Sequence, residues 1–395
     1  MKVTSVICEY NPFHNGHQYM LHQLRKQGTT HIAAVMSGNF TQRGEAAVFD
    51  KFTRTRAALM GGADLVIELP VSFACANAER FAYGGVFAAQ ALGCVDELAF
   101  GSESGDTALL QQTAAAVEDA SVLLRLREIL KSGVSYAAAR EQAVREVYGD
   151  ALAQKLGSPN DILGIEYCRA LCRLHSAIRP VAVRREGAAH DSAEAVSRFA
   201  SASLIRSMLH EGRGEQAGAF IPPECTVTTV QIPHGGRMKK LENILMYRLR
   251  TMTVQEMAEL PEISEGLENR LYAAVRASET VEEVAAMTRS KRYPLARIRR
   301  ILMYALLHIQ KSALPPHPYY LRVLGMNQRG RELLKMAGKT ATLPVIMRYA
   351  DCLQNADTKS MFEQESFCDD IYALSGTKTL LCGANMTTPL VIEEI

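Results

Sequence analysis

What the chain lacks narrows its class before any motif is read. None of its 395 residues falls in an uncharged apolar run of about 18, the length a membrane span needs, so no membrane partner is expected. The stretch from Met1 to Cys8 has no long apolar core and no small-residue cleavage site, and it runs from a strand pattern into acidic Glu9. A secretory leader is therefore not expected. The nine cysteines form no Cys-x-x-Cys pair and no even framework, which is the usage of a reduced, cytoplasmic protein. Cys168 and Cys172 stand one helical turn apart, but two thiols without His or Cys neighbours read as core packing, and no metal site is expected. Repeats and low-complexity tracts are also absent. A formal net charge of only +2 argues against a molecule that binds nucleic acid over its whole surface. What is present is an apolar content of 48%, enough for a sizeable core, in a length that suits two domains.

The first half alternates short apolar runs with amphipathic stretches. Val3 to Cys8, His31 to Met36, Asp64 to Leu69 and Glu97 to Phe100 read as strands, and Ile178 to Arg184 supplies a candidate last strand. Between them, helical spacing runs from His17 to Gly28, from Lys51 to Met60 and from Ala78 to Leu92. This alternation predicts an α/β fold with a doubly wound parallel sheet. Ligands of such sheets sit beyond the carboxyl ends of the strands, so the loops after Cys8, Met36, Phe100 and Val183 are expected to line one site. Composition changes after about Gly214. Phe220 to Cys225 resembles a linker, Thr226 to Ile232 reads as a strand, and Met238 to Ala313 is almost wholly helical in pattern. The expected division is a catalytic domain over 1–215 and a mainly helical domain over 216–395.

The chemically informative stretch is Glu9-Tyr10-Asn11-Pro12-Phe13-His14-Asn15-Gly16-His17, between the first strand and the first helix. Pro12 stiffens the loop, and Gly16 lets a bulky group approach the backbone. A helix N-terminus offers free N–H donors and positive dipole to a polyphosphate. His14 and His17, three residues apart, can direct both imidazoles at the same phosphates and donate to the charge that builds on a pentavalent α-phosphate. Such preorganised donors are worth roughly 3–4 kcal/mol each. A His-x-x-His metal site and a purely structural pair of turn histidines are the competing readings.

Asn-Pro-Phe-His-x-Gly-His resembles the ATP signature of the HIGH-type nucleotidyltransferase superfamily. ICEYNPFHNGH, SGNFTQRGEAA (37–47), DKFTRTRAALMGGADLVIELP (50–70), SPNDILGIEY (158–167), SKRYPLARIRR (290–300) and YYLRVLGMNQRG (319–330) together resemble the bacterial tRNA(Met) cytidine acetate ligase family. That resemblance implies a Rossmann-like nucleotidyltransferase domain and a two-step reaction. ATP and acetate give acetyl-adenylate and pyrophosphate, and the N4 amine of the wobble cytidine of elongator tRNA(Met) then takes the acetyl group. It implies an ATP loop of Ile7, Cys8, Glu9, Tyr10, Asn11, Pro12, Phe13, His14, Asn15, Gly16, His17, Gln18, Tyr19 and Met20, with His14 and His17 on the phosphates. Gly101, Asn160 and Arg185 complete the nucleotide contacts, Arg185 by charge-assisted bonding to phosphate. Ser201-Ala202-Ser203-Leu204-Ile205-Arg206 resembles the superfamily's Ser-Ser-Thr-x-Ile-Arg element and assigns Ser203 and Arg206 to phosphate; the alternative is a helix N-cap by Ser201 or Ser203. The Lys-Met-Ser-Lys-Ser loop of the superfamily's aminoacyl-tRNA synthetases is absent, which argues against a synthetase. Mg²⁺ is expected with polyphosphate, although no carboxylate cage is evident.

Two basic stretches have open readings. SGNFTQRG is either a solvated turn or a lid in which Arg43 meets phosphate, and the roles of Lys51 and Arg54 are undecided. In Arg289 to Arg300, six of twelve residues are basic and none is acidic. Such a run is ordinarily a solvated helix face. Here Tyr293-Pro294 breaks the helix and presents a ring, while Ile298, Ile301 and Leu302 can face a core. Lys291, Arg292, Arg297, Arg299 and Arg300 are accordingly candidates for tRNA contacts. The runner-up functions are an adenylyl- or cytidylyltransferase acting on a small phosphorylated metabolite and a non-catalytic RNA-binding protein.

Overall fold

The computed structural model describes residues 1–185, 198–229 and 236–394. The first-half alternation builds one sheet. Its strands are Val3–Cys8 (β1) and His31–Ser37 (β2), then, after a small hairpin of Phe40–Thr41 (β3) and Glu45–Ala46 (β4), Leu65–Leu69 (β5), Glu97–Ser102 (β6) and Arg179–Arg184 (β7). β1 lies between β2 and β6, β5 flanks β2, β7 flanks β6, and all these pairs are parallel. All seven residues of β2 are buried, as a central parallel strand covered on both faces must be. Ala33 and Val35 join Leu65, Ile67 and Phe73 in one core, while Ile32, Ala34 and Met36 join Phe13, Leu21 and Leu24 on the other face.

The first helix (α1, Asn15–Lys26) starts two residues earlier than the apolar spacing indicates, because His14 acts as its N-cap. The second (α2, Lys51–Met60) has the expected limits, with Asp50 accepting from Phe52 N and Thr53 N as its cap.

After residue 216 the chain serves three cores, a helical one and the two that cover the faces of the sheet. Helices between Met238 and Leu306 pack around Leu241, Leu245, Leu271, Ile298, Ile301 and Leu302, as the helical pattern predicts. Leu321–Met326 (β8), however, pairs antiparallel with β5, and Val345–Ile346 (β9) and Val391–Ile392 (β10) extend the sheet beyond it. The expected boundary near 215–225 therefore does not bound the sheet, which draws strands from both sides of it. The sheet is mixed, in the order β10-β8-β5-β2-β1-β6-β7.

Thr226 to Ile232 is not the expected strand. Pro223–Thr229 is helical, and residues 230–232 lie outside the described residues. Pro223 opens this helix, where its fixed φ suits the first turn and its missing N–H costs nothing. Cys225 is buried and donates Sγ–H to Ala57 O on α2 at 3.4 Å, a tertiary contact that overrides the β-propensity of the threonines and valine.

Candidate active site

β1 and β6 are neighbours whose chain connections leave in opposite directions, so the crevice beyond their carboxyl ends is the switch point of the sheet. The loop after β1 crosses it. Tyr10, Asn11, Phe13 and His14 are all buried there, and the Asn11–Pro12 peptide is cis. Phe13 packs against Gly61, where an added Cβ would lie 2.2 Å from Phe13 Cζ. Gly61→Ala is therefore expected to push the ring and its loop outward. Overpacking of this kind costs about 1–3 kcal/mol, and paired measurements of thermal stability and ATP affinity should both fall.

The two histidines are held by backbone donors. His14 Nδ1 accepts from Gly16 N at 3.0 Å, and His17 Nδ1 accepts from His14 N at 3.3 Å. Each ring therefore carries its proton on Nε2. The imidazoles stack at 3.7 Å between centroids, and Tyr10 meets His17 edge-on at 4.8 Å. Burial holds the His17 imidazole well below the ordinary histidine range, with His14 and Arg185 adding repulsion. Two oriented Nε2–H donors result, with His17 held neutral by its burial.

In the unfolded chain His17 takes a proton near its ordinary value of 6.5, whereas in the fold it stays neutral to lower pH. This group's contribution to stability is thus complete above that value and declines as pH falls below it. Catalysis that uses neutral His17 should keep its acid limb below the ordinary histidine value. A rate profile of ATP–pyrophosphate exchange checks this, and an inflection at 6.5 assigned to His17 would contradict it.

β6 and β7 deliver the other candidate nucleotide contacts to the same crevice. A Cβ on Gly101 would meet Arg185 Cγ at 3.4 Å, and Arg185 N donates to Ser102 O at 3.0 Å. Asn160, in the first turn of the helix Pro159–Arg173, donates to Glu103 Oε1 at 2.6 Å. Arg185 bears electrostatically on both Glu103 and His17. Glu103 and Asp161 were not singled out by the sequence reading. Glu103 N donates to buried Asp161 at 3.1 Å, and Asp161 N donates back to Glu103 at 3.0 Å. The signal available was the SPNDILGIEY block that contains Asp161.

Arg206 also reaches the loop. Its Nη1 donates to Asn11 O at 2.9 Å and its Nη2 to Ser203 Oγ at 3.3 Å, while Glu45 pairs with it at 3.3 Å. Ser201, not Ser203, caps the helix Ala202–His210. Asn11 Oδ1 accepts from Val48 N at 2.8 Å, and its Nδ2 is a buried donor with no hydrogen-bond partner among the described residues. Burial raises the Glu9 carboxyl, which accepts from Gln42 N at 2.7 Å.

Not every residue of the 7–20 stretch faces the crevice. Asn15 donates to Arg198 O and Ala219 O, Gln18 to Glu224, and Tyr19 meets Phe199 edge-on. With His22, Arg25 and Lys26 these three line a separate concavity of about 830 Å³ on the outer side of α1. Ile7, Cys8 and Met20 are half-buried against the cores, Ile7 beside Gly85, and Pro12 is buried in the loop.

Lys51 and Arg54 are fully buried framework groups. Arg54 donates to Glu9 O at 2.5 Å, Ser37 O at 3.1 Å, Phe49 O at 2.9 Å and Gly38 O. It thereby fastens the ends of β1 and β2 together. Lys51 bonds Glu68 Oε1 at 2.6 Å, Asp369 Oδ2 at 2.8 Å and Asn385 Oδ1 at 2.8 Å. SGNFTQRG is not a solvated turn, because Phe40 and Thr41 are buried and Gly44, at φ +72°, lies where a Cβ would strike Arg299 C at 2.5 Å.

The basic cluster divides. Arg300 is a half-buried partner of Glu262 at 2.6 Å, and Arg297 donates to Glu262 O and Ser264 Oγ. Tyr293 is buried beneath Arg297 and does not present its ring to solvent, because it belongs to the helical core. Lys291, Arg292 and Arg299 are exposed, and Arg292 bridges to Glu265 at 2.8 Å.

Among the described residues no group of three His, Cys, Asp or Glu side chains could hold a metal ion, and no helix is long and apolar enough to cross a membrane. Cys168 is buried and Cys172 exposed on their helix.

Comparison with known proteins places this arrangement. A family model described as HIGH Nucleotidyl Transferase matches residues 1–381. The chain is 40% identical to the tRNA(Met) cytidine acetate ligase of a Thermoanaerobacter species, covering 99% of this chain and all of that one. It is 34% identical to the protein of the same name from Clostridium kluyveri, over the full length of both. Two crystal structures of Thermotoga maritima TmcAL, each 30% identical and fully covered, superpose with TM-scores of 0.94 for the apo form and 0.92 for the form bound with alpha-thio ATP. The chain thus belongs to the HIGH nucleotidyl transferase family and, within it, to the tRNA(Met) cytidine acetate ligases.

Proposed function

We propose that this chain activates acetate with ATP and transfers the acetyl group to the N4 amine of the wobble cytidine of elongator tRNA(Met). The observation that carries this reading is the stacked pair His14 and His17, its Nδ1 atoms tied to backbone N–H groups, at the switch point of a sheet in a chain that matches the ligases end to end.

An acetate oxygen attacks the α-phosphorus of ATP, the bond to the β-phosphate bridge breaks, and pyrophosphate departs. Charge gathers on the non-bridging oxygens of the α-phosphate. The two Nε2–H donors meet that charge, and because their rings are already locked they need no reorganisation at the moment of reaction. No side chain acts as a covalent nucleophile. Arg185 and Arg206 supply positive charge on either side of the loop, and Asn11 Nδ2 finds in the nucleotide the acceptor it lacks in the protein. A buried donor without a partner costs about 1–3 kcal/mol, so substrate binding relieves that cost. In the second step the cytidine N4 attacks the acetyl carbonyl, AMP leaves, and the amine loses one proton. Mg²⁺ would accompany the polyphosphate. Its ligands would be chiefly phosphate oxygens and water, since the carboxylates nearest the loop, Glu9 and Glu45, are engaged with Gln42 N and Arg206.

Mass spectrometry of nucleosides from tRNA(Met) incubated with the protein, ATP and labelled acetate tests the reading. Labelled N4-acetylcytidine at the wobble position is expected. Adenylyl or cytidylyl transfer to a phosphorylated metabolite, with unmodified tRNA, would replace it with a metabolite transferase.

A further inference from the structure

The helical part meets the active site through the β3–β4 hairpin. Two helices grip that hairpin from different sides. Ala46 N donates to Met238 Sδ at 3.2 Å, at the start of the helix Met238–Thr251, and Gly44 lies against the backbone of Arg299 and Arg300 in the helix Leu295–Leu306. The hairpin in turn touches the catalytic loop, through Gln42 N on Glu9 Oε1 at 2.7 Å and through Glu45 on Arg206.

Around this junction stand Arg237 at the N-cap and Lys239 and Lys240 in the first turn of the first helix, with Arg299 on the second helix and Lys291 in the segment leading into it, all exposed. None forms an ion pair among the described residues, whereas Arg297 and Arg300 beside them are engaged with Glu262 and its carbonyl. The placement is also costly. The first helix has no side-chain cap and no acidic residue in its first turn, and Arg237, Lys239 and Lys240 at that end oppose the helix dipole. Each such contact is unfavourable by about 0.3–1 kcal/mol. Nothing in the packing requires these side chains, since they project into solvent. A polyanion lying across the junction would remove that penalty and pair with Lys291 and Arg299 as well.

We infer that Arg237, Lys239, Lys240, Lys291 and Arg299 form a docking surface for the phosphate backbone of a folded RNA, seated so that one unstacked base reaches the crevice past the hairpin. The inference rests on the proposed function for the identity of the RNA, and it extends the surface beyond the 289–300 run to Arg237, Lys239 and Lys240. Contacts of this kind fix orientation and carry no sequence information.

The double variant Lys239→Glu/Lys240→Glu, with Arg299→Glu as a second variant on the other helix, tests it by direct tRNA binding across a salt series. The expected result is at least tenfold weaker binding for the double variant, with the slope of log K against log salt reduced by about 1.5–2. Arg299→Glu should move both quantities the same way by a smaller amount. Acetate-dependent ATP–pyrophosphate exchange should be unchanged in each. Lys335→Glu/Lys339→Glu, on the exposed face of the helix Gln328–Thr340, serves as the charge control. Unaltered affinity and slope in the test variants, or an equal loss in the control, overturns the surface. Binding decides the surface and exchange decides the acetate-activating reading, so either can fail without the other.

Discussion

His17→Ala is expected to reduce acetate-dependent exchange of pyrophosphate into ATP by about 10²–10³-fold, the loss typical of one preorganised donor to a developing oxyanion. His14→Ala should match it. The rings form one stacked unit in which His14 N orients His17, so the double variant is expected to lose far less than the product of the two single losses. His14→Ala also removes a helix cap, at about 1 kcal/mol, so it should melt slightly earlier than His17→Ala. Neither variant should change tRNA affinity, because the basic surface lies beyond the hairpin. A His17→Ala protein that folds, binds tRNA and exchanges at the normal rate would remove the histidine pair from the chemistry.

The second large effect is on stability. Lys51→Met is expected to destabilise the fold by about 3–5 kcal/mol, the cost of leaving buried carboxylates without their cation. Lys51 sits among Glu68, Asp369 and Asn385 with no exposure, while Arg322 lies 3.5 Å from the other oxygen of Glu68. These groups join β5, β8, α2 and the helix Ala356–Tyr372. The loss is therefore expected across the whole sheet, as a fall in melting temperature on the order of 10 °C. Burial lowers the Lys51 ammonium, but Asp369 and Glu68 outweigh it and the net shift is upward. Burial also lifts Asp369 to about 6 from 3.8. The folded protein then holds a proton that the unfolded chain releases between those values. Stability from this group falls as pH rises through that window and is constant above about 6. Glu365, raised further by burial and by Glu68, extends the fall to higher pH. Glu365→Gln keeps an acceptor for Val71 N, now 2.7 Å from Oε1, and should flatten the dependence, as urea unfolding at several pH values would reveal.

Much of this architecture could be read from residues alone, for physical reasons that differ by element. The run HIAAVMS is apolar on both faces, so it had to be a covered parallel strand. The nucleotide loop was legible because its residue types serve chemistry and turn geometry at once. The antiparallel return of Leu321–Met326 to β5 was not, because period and propensity describe a segment and do not say which sheet edge receives it. Lys51 and Arg54 looked like possible catalytic cations because their compensation is non-local. One is paired with Asp369 and Asn385 more than 300 residues away, and the other is satisfied by carbonyls at two strand ends. Arg300 looks like an RNA contact, and Tyr293 like a presented ring, for the same reason, as Glu262 lies 38 residues before Arg300 and the Tyr293 ring is enclosed by the helical core. The β-branched run after Cys225 misled in the opposite direction, since its local preference lost to packing on α2.

Incorporation of labelled pyrophosphate into ATP, measured with and without acetate and in the absence of tRNA, tests the central claim most directly. Exchange that appears only with acetate, and that disappears in His17→Ala, is the expected result, because the adenylate is formed at the histidine pair before RNA is needed. Exchange driven equally without acetate, or no exchange by protein that acetylates tRNA, would contradict a reversible acetyl-adenylate made at this site.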